Sequence, residues 1–144
     1  MTLTSKPRRS RRPKIVLSST RLVELEALCE GMMRRDPELA ELLVEELGRA
    51  RIVNPARLRT DVVDIGRSVT YRDEATGTEH RVTLVFPQEA DISEGRVSVM
   101  TPIGVAMIGL AEDAAFHWET RAGHRRGLKI LRVGSADRDT LQSA

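Results

Sequence analysis

The stretch Val97-Ser98-Val99-Met100-Thr101-Pro102-Ile103-Gly104-Val105-Ala106-Met107-Ile108-Gly109 decides how the chain is read. It opens as a strand: Val97 and Val99 alternate with Ser98 and Met100, the two-residue period of a half-buried sheet. The alternation then stops. Thr101 is a good N-cap residue, and Pro102 falls at a helix's first position, where its missing N–H costs nothing. Ile103, Val105, Met107 and Ile108 leave the next helical turn almost no wet face, so it belongs under the concave side of a sheet. Gly109 is placed to close that turn in a left-handed conformation.

Strands flank this stretch on both sides. Val69 and Tyr71 mark one, ended by Asp73-Glu74-Ala75-Thr76-Gly77. Val82, Leu84 and Phe86 alternate with Arg81, Thr83 and Val85 in a second, which Pro87 interrupts. Gln88-Glu89-Ala90-Asp91 then leads to a Glu94-Gly95 turn. Downstream, Phe116 and Trp118 alternate with Ala115 and His117, and Ala122-Gly123 turns the chain. Leu128, Ile130 and Val133 carry the last strand, with Leu131 at a bulge. The reading is an α+β body: an antiparallel sheet curled around one short helix.

Upstream the period changes to that of helices. Ile15 to Leu17 is a short strand or a packing anchor, and Ser18, Ser19 and Thr20 offer caps. Leu22, Leu25, Leu28, Cys29, Met32 and Met33 then form one stripe. Asp36-Pro37 starts a second helix with stripe Leu39, Leu42, Leu43, Leu47 and Ala50, ended by Asn54-Pro55. Two such helices joined by a short turn make an antiparallel hairpin, a stubby coiled coil about 20 Å long. Cys29 lies on the stripe and reads as a buried, inert thiol, and Met32 and Met33 as packing. The expected organisation is a basic, disordered arm over 1–17, the hairpin over 18–54, the sheet body over 55–134 and a polar tail over 135–144.

Composition bounds the function. The chain has 144 residues, 40% hydrophobic and 31% charged, enough for one modest core. No apolar run reaches the ~18 residues of a membrane helix, and no secretory signal is present. A single cysteine excludes an internal disulfide and fits a reducing compartment, so the expected location is cytoplasmic. Six of the 23 basic residues precede Ile15, so the remaining 17 face 21 acids, a net of −4. A basic arm carrying Arg8, Arg9, Arg11, Arg12 and Lys14 thus sits on a mildly acidic body. Such an arm suits non-specific contact with DNA or an acidic protein surface.

No catalytic constellation stands out. His80, His117 and His124 do not pair at metal-ligand spacing, and no phosphate-binding glycine loop or nucleophile elbow occurs. Asp36 and Glu38 could share a divalent ion, but capping and helix-dipole roles account for both. No metal, cofactor, membrane or small-molecule substrate is implied. A binding module is the default. A direct nucleic-acid binder would add Arg121, Arg125, Arg126, Lys129 and Arg132 to the arm, although few aromatics are available for base stacking.

The run Leu84–Leu110 resembles the bacterial Gre transcript-cleavage factors and, more closely, their Rnk type, the regulators of nucleoside diphosphate kinase. Glu89-Ala90-Asp91, Val97-Ser98, Thr101-Pro102-Ile103-Gly104 and Ala106-Met107-Ile108-Gly109 match the family pattern, and Phe116-His117-Trp118-Glu119 matches the Rnk form of the next strand. The resemblance spans about Ser19 to Val133. It implies an FKBP-like body docking on RNA polymerase near its secondary channel. The docking surface would be the exposed rim Met100, Thr101 and Pro102 with Glu89 and Asp91.

Three departures qualify it. The tip Arg34-Arg35-Asp36-Pro37-Glu38 lacks the acidic pair with which the cleavage factors deliver Mg²⁺, so no catalytic residue carries over. Glu112-Asp113 replaces the usual Gly-Asp turn, and Met100 stands where some members have an acid. The few aromatics speak against a prolyl-isomerase pocket. The resulting expectation is a non-enzymatic regulator of elongation that binds polymerase. Its hairpin tip (Arg34, Arg35, Asp36, Glu38) would sit at the channel entrance without cleaving transcript. The alternatives are action on nucleoside diphosphate kinase levels, or direct DNA binding through the arm.

Overall fold

The computed structural model describes residues 13–119 and 122–135. Strand β1 (Val16–Ser18) runs into helix α1 (Ser19–Met32), and α2 (Pro37–Arg49) returns to β2 (Arg51–Val53). The body follows as β3 (Arg67–Asp73), β4 (Glu79–Val85), β5 (Arg96–Ser98), α3 (Pro102–Met107), β6 (Ala115–Glu119) and β7 (Arg125–Ser135). Each helix starts where the local chemistry says it must. The side chains of Ser18, Asp36 and Thr101 accept the N–H groups of Arg21, Leu39 and Gly104 at 3.0, 3.2 and 3.1 Å. Pro37 and Pro102 take the first helical positions.

Ile15 and Leu17 are buried and Val16 pairs with Arg51, so the start of the chain is both strand and anchor. The second helix ends earlier than the sequence suggested. It stops at Arg49, and Arg51–Val53 pair in parallel with β1 instead of extending the helix to Asn54. The Arg51 N–H donates to the Ile15 carbonyl at 2.9 Å, a bond that a helical residue 51 could not make.

The body is a five-stranded sheet of order β5-β4-β3-β7-β6. It is mixed rather than fully antiparallel, because β5 pairs with β4 in parallel. The ten residues between them wind through two 3-10 turns, Pro87–Glu89 and Ile92–Glu94, and re-enter the sheet in the same direction. The bulge at Leu131 is present: Thr70 pairs with Arg132 and Tyr71 with Ile130, so Leu131 has no opposite residue.

Hairpin and body share one core. Leu25, Cys29, Leu39, Leu43 and Leu47 belong to the same buried cluster as Val69, Leu84, Val105, Met107, Leu128 and Ile130. Helix α3 is sunk in it. At Gly104 a Cβ would lie 2.5 Å from the Ser98 carbonyl oxygen, so only glycine lets the helix rest on the strand that leads into it. Gly109 adopts φ +85, the left-handed stop, and its carbonyl accepts the Val16 N–H at 3.0 Å. The N-terminal strand is thereby attached to the end of the buried helix. No helix among the described residues is long and apolar enough to cross a membrane.

Candidate docking surface

The rim of the body is built around Thr101 and Asp91. The Thr101 hydroxyl donates to the Ser98 carbonyl at 2.8 Å while accepting Gly104 N–H, which fixes the corner and leaves Pro102 exposed. Asp91 caps the neighbouring 3-10 turn, accepting from Ser93 N and Ser93 Oγ at 3.1 and 2.6 Å. These Ser93 hydrogen bonds hold its carboxyl below the usual carboxylate range, and Arg96 at 4.0 Å adds to the effect. Glu89 is exposed on the turn before it. Met100, placed on the rim by the sequence reading, is instead buried at 7% exposure. Its N–H donates to Ser98 Oγ at 2.9 Å, which bends the chain inward before Thr101.

At the hairpin tip Arg34, Arg35, Asp36 and Glu38 are all exposed. Asp36 is committed to capping, and Glu38 stands in the first turn, at the positive end of the helix dipole. The structure brings part of this tip together with the rim. A groove of about 500 Å³ runs between α2 and the body. Asp36, Glu38, Glu41 and Glu45 form one wall, and Pro102, Trp118 and Glu119 the other, with Leu39 and Leu42 at its base. Every charged residue in this lining is acidic. Trp118 stacks on Phe116 with centroids 5.8 Å apart, which holds the indole in place. Sequence reasoning missed Glu41, Glu45, Trp118 and Glu119 as surface partners. The i, i+3, i+7 spacing of Glu38, Glu41 and Glu45 was the available signal for the wall.

Of the basic arm, Lys14 is exposed, while Arg8, Arg9, Arg11 and Arg12 lie outside the described residues, as do Arg121 and the polar tail beyond Ser135. Arg126 pairs with Asp73 at 3.5 Å, and Arg125 lies opposite Glu119 across β6 and β7. His117 packs over Gly127, and His80 stacks on Tyr71 at 5.3 Å. Among the described residues no three His, Cys, Asp or Glu side chains converge as a metal site. The Glu112-Asp113 turn keeps the geometry that glycine would give: Asp113 adopts φ +73, and Glu112 accepts the Val133 N–H at 2.9 Å.

Residues 58–135 match the family model described as transcription elongation factor, GreA/GreB, C-terminal. The chain belongs to the GreA/GreB family. Residues 13–53 match the model of the Rnk N-terminus, which makes the hairpin the Rnk type within that family. The Escherichia coli protein named regulator of nucleoside diphosphate kinase is 30% identical over 122 residues, 85% of this chain and 90% of that one. The elongation factor GreA of Brucella anthropi is 35% identical over 112 residues, 75% of this chain and 67% of its own length. Among solved structures, a GreA/GreB elongation factor from Nitrosomonas europaea superposes with a TM-score of 0.63 at 32% identity, covering 85% of this chain and 99% of that one. The resemblance drawn from Leu84–Leu110 therefore holds, for the fold as well as the family. This GreA/GreB member is a regulator of the elongation-factor type.

Proposed function

We propose that this GreA/GreB member binds RNA polymerase near its secondary channel and modulates elongation without stimulating transcript cleavage. The observation that carries the reading is the hairpin. Its helices have 14 and 13 residues, about 20 Å, and its tip spends Asp36 on capping α2. A finger of that reach, flanked by Arg34 and Arg35, suits occupancy of a channel mouth rather than chemistry at its floor. The docking contacts would be Pro102, Thr101, Glu89 and Asp91. The arm would add non-specific contact with DNA.

The test is retention of the purified chain on core RNA polymerase, repeated with Pro102→Ala, beside a cleavage assay on stalled complexes. The expected result is retention that weakens with Pro102→Ala, and no shortened transcript. An unretained wild-type chain ends the docking proposal, and cleavage above background ends the non-catalytic one.

A further inference from the structure

The face of the sheet turned away from the core gathers cations through the bulge in β7. Val69, Tyr71, Leu128 and Ile130 are buried, so alternation turns Thr70, Arg72 and Lys129 to the opposite face. Arg132 comes three positions after Lys129, an odd step that in a regular strand would send the two side chains to opposite faces. Skipping Leu131 restores the phase. Arg72 pairs with Lys129 and Thr70 with Arg132, so both β7 cations stand on the outer face. The four residues form a patch of about 5 by 7 Å, one strand spacing wide and two residues long. Arg132 is exposed, and Lys129 and Arg72 are half-buried. Arg72 and Lys129 oppose each other directly, a like-charge pair that costs stability unless an anion joins it. Glu74 offsets Arg72 at 3.2 Å, and Glu79 lies across from Arg72 on the side away from Lys129. Among the described residues no carboxylate makes an ion pair with Lys129 or Arg132. Arg126, one position out of phase, turns to the other face and pairs with Asp73 at 3.5 Å.

We propose that Arg72, Lys129 and Arg132, with the Thr70 hydroxyl beside them, bind the phosphate backbone of a nucleic-acid duplex. A phosphate seated among them gains charge-assisted hydrogen bonds and relieves the repulsion between Arg72 and Lys129. Tyr71, Phe116 and Trp118 all fall on the other phase of their strands, so the face has no Phe, Tyr or Trp ring for an unpaired base to stack on. Single strands therefore lose their usual advantage, and binding reads the backbone of a duplex without regard to sequence. The contact needs no polymerase, so it stands or falls apart from the docking proposal.

The experiment uses the full chain. Its lysines are Lys6, Lys14 and Lys129, so acetylation read by mass spectrometry separates this face from the basic arm. A DNA duplex, an RNA duplex, single-stranded DNA and polyglutamate are compared as protecting agents at equal charge. Both duplexes are expected to slow acetylation of Lys129 severalfold at low salt, and the one that protects more identifies the natural source of the backbone. Protection should vanish near 1 M salt, where the screening length falls to about 3 Å. Lys129→Gln with Arg132→Gln should lower the slope of log affinity for the DNA duplex against log salt by about 1.8, the loss of two phosphate contacts. Protection of Lys6 and Lys14 alone, or an unchanged salt slope in the double variant, would overturn the proposal. So would equal protection of Lys129 by polyglutamate, which points to an acidic protein surface, or stronger protection by the single strand.

Discussion

Arg21 Nε donates to an Asp64 carboxylate oxygen at 2.8 Å, and this pair ties the hairpin to the body across 43 residues of sequence. The same guanidinium reaches Glu24 at 2.6 Å and lies 5.5 Å above the centre of the Phe86 ring. Asp64 is buried and also accepts the Ile65 N–H at 2.8 Å. Removing Arg21 leaves a buried carboxylate without its cation. Arg21→Ala is therefore expected to lower the urea unfolding free energy by about 1–3 kcal/mol, the cost of stranding such a group. Arg21→Lys, which keeps the charge but not the fork, should recover only part of it.

Two of the helical glycines, Gly31 and Gly104, predict opposite outcomes for one substitution. A Cβ on Gly104 would meet the backbone of Ser98 and Val99 at 2.5–2.7 Å, whereas at Gly31 nothing lies within 4 Å. Gly104→Ala must push α3 off its strand, at a cost of about 1–3 kcal/mol or more. Gly31→Ala only restricts the unfolded chain, and should gain about 0.5–1 kcal/mol. Thermal unfolding of both variants checks the contrast.

Asp113 is the one non-glycine residue with positive φ among the described residues. Its N–H donates to the Ile130 carbonyl at 2.8 Å, so the turn is held whichever residue occupies it. A β-branched side chain cannot take that conformation without strain, and Asp113→Val should cost about 1–2 kcal/mol. Asp113→Gly should leave stability within about 1 kcal/mol of wild type. Equal losses for the two would contradict the assigned backbone.

Stability should fall on the alkaline side. Burial pushes the Cys29 thiol up, with Glu26 adding to it, and burial likewise pushes Tyr71 up, with Asp73 adding and Arg126 opposing. Both groups are held neutral in the folded chain. Their contribution is complete below the unfolded values of about 8.5 and 10, and is lost as pH rises through the folded ones. Urea midpoints measured from pH 7 to 10.5 should decline, and Cys29→Ala should flatten the first part of the decline. Cys29 should also react with a thiol reagent only at the rate of local opening.

The caps were legible because capping is a local transaction: Ser18, Asp36 and Thr101 each bond an N–H three residues on. The bulge at Leu131 was legible for the same reason, as a break in alternation. Strand direction was not. Nothing in residues 86–95 distinguishes a hairpin from a return crossing, and β5 turned out parallel to β4. Met100 misled because alternation assigns faces, and here both faces of the strand end are covered. The groove was out of reach altogether, since α2 and Trp118 meet only after 70 residues of sheet have been folded between them.

The pairing of β1 with β2 sets Val16 beside Arg51, about one strand spacing of 4.8 Å apart. The hairpin therefore leaves and rejoins the molecule through a single doorway. Inserting seven residues into each helix at the exposed tip would lengthen the arm-like projection by about 10 Å while leaving that doorway unaltered. Reach and attachment are thus separable quantities in this architecture, and a graded series of lengths can be built on an unchanged base.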